Sequence, residues 1–256
     1  MIKKAAVFAV SCAVLMTGCG GDASSETAEI QANLEQAGFP ADDIMVVDGA
    51  VYVGRDAQVS LQASREMLER GTDTAEQYRT TNLVDSTVTK ICVNPTAVFN
   101  TYAKLSVGLD MAIENYNQQN LSFQMVRGPS TGCSANITAQ TTTGAGGVAG
   151  FPAGGLPYTE INIGTGLASY SVDVNEHVIT HELGHCIGFR HSDYYNRQIS
   201  CGGRKQNEGD SGVGAILIPG TPSTAVLNGS VMNSCFSSSS TGEWTSSDVT
   251  ALQYLY

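Results

Sequence analysis

Eleven residues hold most of the chemistry written in this sequence: His181-Glu182-Leu183-Gly184-His185-Cys186-Ile187-Gly188-Phe189-Arg190-His191, or H-E-x-x-H-x-x-G-x-x-H. His181 and His185 are four apart, so on a helix they share one face a turn apart and can hold one ion together. Glu182 is rotated by about 100° from His181, so it flanks the ion without having to ligate it. Gly188 lets the helix stop and the chain turn back, which brings His191 to a third ligand position. Three imidazoles leave one tetrahedral position on zinc open for water, as a catalytic site requires and a structural site does not. The chain has 4 His, and three of them fall in this run.

The elements around the run must place these side chains. Its helix is predicted to begin near Asp173, a candidate cap. Ile179, Leu183, Cys186 and Ile187 fall on one side of a helical wheel, and His177, His181 and His185 on the other. One face therefore packs into a core and the other looks into a cleft. His177 is either a polar residue on the cleft side or a group that touches substrate. Upstream, residues 88–93 read as a strand. Asn94-Pro95 reads as the start of a long helix ending near Gln119, with Val98, Tyr102, Leu105, Leu109, Ala112 and Tyr116 along one stripe. Leu121, Phe123 and Met125, then Cys133, Ala135, Ile137 and Ala139, alternate with polar residues as in half-covered strands. Residues 144–157 are rich in glycine. They form either a plain loop or the rim of the cleft, where an edge strand pairs with an extended substrate. A strand over 159–163 follows. Beyond His191, residues 192–228 are irregular. Ser230-Val231-Met232-Asn233 comes next, and Ser246-Ser247-Asp248 is expected to cap a last helix through Leu255.

The first eighteen residues read as an export signal: Lys3 and Lys4 give a positive start, and the apolar run 5–16 is too short to span a membrane. Leu15-Met16-Thr17-Gly18-Cys19 resembles a bacterial lipobox. That resemblance makes Cys19 the lipidated first residue of the mature chain, with ordinary signal cleavage nearby as the alternative. A lipid holds a protein at a membrane surface without spanning it. The expected address is the bacterial cell envelope, at the outer membrane or surface, or outside the cell if the anchor is not used.

Residues 20–29 read as a flexible tether. A short helix over 30–37, a hairpin turning at Asp48-Gly49 and a helix from Ser60 to Arg70 follow, then a polar linker over 71–86. The expected organisation is a signal (1–18), a tether with a pro-segment or small accessory domain (19–87), and a catalytic domain (88–256). The formal net charge of −11 argues against a nucleic-acid backbone as partner. Cys12 leaves with the signal and Cys19 is used by the anchor, so Cys92, Cys133, Cys186, Cys201 and Cys235 remain. Five thiols allow at most two bridges in an oxidising compartment. Sequence does not fix connectivity; the expected pairs are Cys92–Cys133 and Cys186–Cys201.

The extended motif followed by Met232 resembles the metzincins. In that clan a tight turn places a methionine beneath the three histidines, and Met232 matches that role. The resemblance implies an α+β fold of metzincin-type zincin class: a mixed twisted sheet, a backing helix, an active-site helix, a Met-turn and a C-terminal helix. Within the clan the chain most resembles the bacterial dual-action HEIGH (myxobacterial-protease-like) metallopeptidases. The stretches concerned are Gly150-Phe151-Pro152, Gly155-Leu156-Pro157-Tyr158, the run from His181 to Asp193, Ile218-Pro219-Gly220-Thr221-Pro222, the run from Ser230 to Cys235, and Ala251-Leu252-Gln253-Tyr254-Leu255-Tyr256. They cover roughly 88–256, and more faintly 30–85. Leu183 replaces the isoleucine of the family's name.

This resemblance implies a zinc endopeptidase acting on protein or peptide substrates with one catalytic Zn2+. His181, His185 and His191 are its ligands, and Glu182 is the general base for a zinc-activated water. Asp56, in Val53-Gly54-Arg55-Asp56, loosely resembles the inhibitory F-x-G-D of astacin pro-segments, with the spacing different by one residue. It is either a latency ligand, since zinc accepts Asp oxygen, or an exposed residue at a strand end. Astacins carry S-x-M-H-Y with a tyrosine ligand; Asn233 and Ser234 stand at the matching positions here. Tyr194 or Tyr195 then supports the oxyanion, or both are surface loop residues. The rival functions are an envelope-anchored zincin-fold binding protein without turnover, against which the intact Glu182 speaks, and a peptidase that only processes itself. No D-x-[DN]-x-[DN]-G loop is present, so structural calcium stays open, as does the oligomeric state.

Overall fold

A computed structural model describes residues 23–68, 77–129, 131–209 and 215–256. The expected export signal and Cys19 lie outside the described residues, as do Arg70 and Gly71. Helix α1 (Ala23–Gln36) precedes strands β1 (Met45–Val47), β2 (Ala50–Val53) and β3 (Ala57–Val59) and helix α2 (Leu61–Glu66). Strand β4 (Tyr78–Arg79) and strand β5 (Lys90–Pro95) lead to helices α3 (Ala97–Thr101) and α4 (Ala103–Asn117). Strands β6 (Gln124–Arg127), β7 (Ala135–Thr142), β8 (Gly147–Gly150) and β9 (Glu160–Gly164) follow, then α5 (Val172–Cys186), α6 (Gln198–Cys201), β10 (Ile216–Leu217) and α7 (Ser246–Leu255).

The fold is α+β, built on a mixed eight-stranded sheet in the order β1-β2-β3-β8-β9-β7-β5-β6. Strands β6, β5, β7 and β9 run parallel, and β8 reverses direction beside β9. Alternate residues of these strands, including Ile91, Val93, Ile137, Ile161 and Ile163, enter one core with Leu105, Leu109 and Tyr116 of α4 and with Ile179 and Leu183 of α5. Tyr116 also donates a hydrogen bond to the carbonyl of Thr180 at 2.9 Å, which locks the backing helix onto the motif helix. A second core gathers Ile30, Leu34, Phe39, Val51, Val59 and Met67 with Phe151. The segment before β4 thus has its own apolar cluster and still extends the main sheet, because β3 pairs with β8. Asp48 and Gly49 turn the β1–β2 hairpin with φ of 51° and 84°, as the Asp-Gly pair predicts. Among the described residues no helix is long and apolar enough to cross a membrane.

Several sequence expectations change. Residues 23–29 are helical rather than a tether, because α1 is prolonged by Ala, Ser and Glu while Ile30 and Leu34 bury its far end. The long helix divides at Tyr102 (φ −92°, ψ 94°). Its cap is Thr96, since Asn94 and Pro95 are paired in the sheet with β7. The supposed linker is structural where it is described: the Gln77 side chain donates to Asp248 Oδ1 at 2.8 Å, and β4 pairs with β10. Helix α7 is capped by Thr245 in a capping box with Asp248, not by Ser246.

The disulfides are Cys92–Cys133 and Cys201–Cys235, which corrects the expected Cys186–Cys201 pair. Cys186 sits on the core face of α5, buried and free, with its sulfur toward the Glu160 carbonyl. Cys201 ends the short surface helix α6, where the Cys235 Cα is only 5.1 Å away. Its cross-link ties the loop after the motif to the turn after Met232. Replacing both Cys201 and Cys235 by serine is expected to cost about 2–4 kcal/mol of stability. Denaturant titration of the folded variant reads this directly.

Candidate metal centre

Helix α5 starts at Ser171, whose hydroxyl accepts from the Val174 amide; Asp173, the expected cap, lies in the first turn and favours the helix dipole instead. Its C-terminus is a Schellman turn. The Phe189 amide donates to Gly184 O at 3.0 Å and the Gly188 amide to His185 O at 2.9 Å, with Gly188 at φ +110°. A Cβ at Gly188 would overlap the Asn82 carbonyl, so the turn needs glycine for space as well as for φ. Thr80 donates its amide to Gly188 O, and Arg190 donates its amide to Tyr78 O at 2.8 Å. Residues 78–82 therefore brace the bend that returns His191 to the helix.

The bend brings the three histidines together. His181 Nε2 lies 3.1 Å from His185 Nε2 and 3.1 Å from His191 Nε2. Each Nδ1 is held by an oxygen: His181 by Val231 O at 2.9 Å, His185 by Phe189 O at 2.8 Å, His191 by the Glu208 carboxylate at 2.8 Å. In the neutral tautomer that donates Nδ1–H to these oxygens, each ring turns its Nε2 lone pair toward the other two. A tetrahedral zinc with bonds of about 2.05 Å asks for nitrogens roughly 3.3 Å apart. The donor set, with an oxygen behind each Nδ1, therefore fits zinc. Burial pushes His181 well below its ordinary pKa and His185 down to about 4, which favours neutral ligands. Burial would lower His191 too, but the Asp56 and Glu208 carboxylates outweigh it and raise it to about 10.

Asp56 is the fourth member. Its Oδ2 is 3.2 Å from His191 Nε2 and its Oδ1 3.8 Å from His185 Nε2, and one ligand atom from each of the four residues lies within 4.8 Å of the rest. Asp56 Oδ1 is buried and makes no hydrogen bond. Burial would raise its pKa, but the three imidazoles, His191 foremost, hold it below the ordinary value. Asp56 reaches the site because β3 follows it directly and pairs with β8; the Ala149 amide donates to Asp56 O at 2.9 Å.

Glu182 lines a cavity of about 300 Å³ beside the histidines, with His177, Val178, Gly147, Asn233 and Phe236 among the other walls. Its Oε2 is buried without a partner. Burial, and then the charge of Asp56, raise this carboxyl well above its ordinary pKa. Strand β8 passes so close that a Cβ on Gly147 would overlap Glu182 Oε1. The glycine-rich rim is therefore the wall that keeps the carboxyl in place. Met232 is buried, with its sulfur packed against Gly184, the residue before His185. The Met232 carbonyl accepts the Ser192 amide at 2.8 Å, and Asp248 of α7 accepts from Val231 N and Ser230 Oγ to hold the turn.

The two tyrosines are not brought to the site. Tyr194 is buried against Tyr78, with ring centroids 4.3 Å apart, and Tyr195 Oη accepts the Ala225 amide at 2.8 Å. Neither lines the cavity beside Glu182: the Ser192 amide is tied to Met232 O, and Tyr194 packs on Tyr78 of β4. His177 does line it, with its Nδ1 on Thr241 O at 2.7 Å. Sequence reasoning missed Glu208, which lies in an irregular loop 17 residues beyond His191 with no spacing signal to mark it.

A family model described as dual-action HEIGH metallo-peptidase matches residues 51–256. Among solved structures the chain is similar to high choriolytic enzyme 1, a hatching-enzyme zinc protease from the medaka fish Oryzias latipes. The identity is 15%, with 68% of this chain and 92% of that one covered, at a TM-score of 0.42. It is similar also to myroilysin at 15% identity, covering 68% and 95% at a TM-score of 0.40. No curated protein sequence matches it.

Proposed function

Because this chain belongs to the dual-action HEIGH metallo-peptidases, we propose that it is a zinc-dependent endopeptidase of metzincin type that cleaves protein or peptide substrates with Glu182 as general base. The convergence of three Nε2 atoms, with His181 3.1 Å from each of the other two, beside an unpartnered buried carboxyl carries this reading. His181, His185 and His191 would hold the ion. Zinc bound there supplies Lewis acidity, which makes water a nucleophile near pH 7 and polarises the scissile carbonyl. Glu182 takes the proton of the attacking water and passes it to the leaving amine. Burial, and then the charge of Asp56, raise its pKa, which favours its taking up the proton and holding it until the amine leaves. The cavity beside Glu182 is where a substrate side chain would lodge. Casein hydrolysis with and without a chelator tests the activity: chelation should abolish it and added zinc restore it. A zincin-fold binding protein would show no turnover in either state.

A second reading concerns Asp56. A donor set of three histidines and one carboxylate closes a tetrahedral site, whereas a catalytic zinc needs an open position. Asp56 stands where substrate or water would have to enter, and β3 covers the outer edge of β8. In this reading the segment carrying Asp56 is a latency device, and peptidase activity needs its withdrawal.

A further inference from the structure

We propose that Glu208 is a positioning residue for the metal centre: its carboxylate fixes the ring of His191 and gives its Nδ1 a charged partner, where the Nδ1 atoms of the other two ligands have neutral ones. The inference rests on the zinc reading above. His181 and His185 give their Nδ1 protons to backbone carbonyls, which are neutral. His191 alone of the three has a carboxylate at its Nδ1, and it meets both oxygens, at 2.8 and 3.0 Å. A carboxylate behind an imidazole sets which nitrogen carries the proton and makes the other a stronger donor to a metal.

The surroundings show that Glu208 is held for this purpose. It is buried in a loop that is otherwise largely exposed. An unpaired carboxylate there would be costly, and two buried guanidinium groups offset its charge. Arg197 Nη1 lies 2.6 Å from Oε1 and Arg190 Nη2 3.6 Å from Oε2. Ser234 Oγ adds a hydrogen bond at 3.2 Å. Gly54, two residues before Asp56, seals the contact: a Cβ there would lie 3.0 Å from Glu208 Oε2 and 3.2 Å from His191 Nδ1. Arg197 donates to the Gly54 carbonyl as well. The bend at Gly188 delivers His191 on the returning chain, not on the helix that carries the first two ligands. This third ligand is the one that most needs an external hold on its ring.

The test is zinc affinity, measured by competition with a chromophoric chelator in the full chain, for wild type, Glu208→Gln and Glu208→Asp. Glu208→Gln should bind zinc about 10–100-fold more weakly. Glu208→Asp keeps the charge that the arginines need but shortens the reach, so it should keep the melting temperature and still lose affinity. A Glu208→Gln or Glu208→Asp protein that is folded and binds zinc within twofold of wild type overturns the proposal. Should both variants fail to fold, proton NMR of the unaltered zinc-loaded protein decides. A His191 Nδ1–H resonance downfield of those of His181 and His185 supports the carboxylate contact, and its absence overturns it. A wild type that takes up no zinc at all overturns the metal centre and this proposal with it. That outcome is distinct from equal binding by variant and wild type.

Discussion

Glu182→Gln is expected to leave zinc bound while lowering casein hydrolysis by at least about 100-fold, the lower end of what a positioned general base contributes. The substitution preserves size and leaves the three histidines untouched. Glu182 is not needed for the donor set, which consists of His181, His185, His191 and Asp56. It removes the group that accepts a proton; of the other titratable side chains lining the cavity, Asp56 and His181 belong to the donor set and His177 has its Nδ1 engaged with Thr241 O. The assay is run under conditions where the parent cleaves casein, with zinc content measured on the same samples. A glutamine variant that retains activity would remove Glu182 from the role of base, whatever the metal content.

Asp56→Ala should have the opposite sign. If Asp56 closes the fourth position, its loss opens the site without altering the other ligands. Truncating one partner of a buried charge pair costs about 2–5 kcal/mol, so even the lower figure converts to roughly 30-fold in the open population. Uncleaved Asp56→Ala should therefore hydrolyse casein roughly 30-fold faster than uncleaved wild type. N-terminal sequencing during the assay shows whether the chain has been cut and keeps processing apart from simple unblocking. Equal rates for the two uncut proteins would make Asp56 part of a permanent accessory domain instead.

Local features were legible because their chemistry is local. The i, i+4 spacing of His181 and His185 and the return at Gly188 follow from helix geometry and from a glycine that tolerates φ of +110°. The Asp48-Gly49 turn was readable for the same reason. What could not be read depends on where distant residues meet. Cys201 finds Cys235 rather than Cys186 because Asp193 gathers both neighbourhoods, accepting hydrogen bonds from Ser200 and Ser234. Glu208 finds His191 from within an irregular loop. Residues 77–82 look polar in sequence yet brace the Gly188 bend, since their polar groups pair with buried backbone and with Asp248. Tyr194 follows the third histidine closely, but its direction is set by the packing of Tyr78, which no spacing rule reports.

Zinc content per chain, determined by elemental analysis after dialysis against a weak chelator, tests the central claim most directly when unaltered protein is compared with His191→Ala. The three-histidine centre predicts about one zinc per unaltered chain and its loss from the variant. Zinc retained undiminished by His191→Ala, or absent from the unaltered protein, would contradict it.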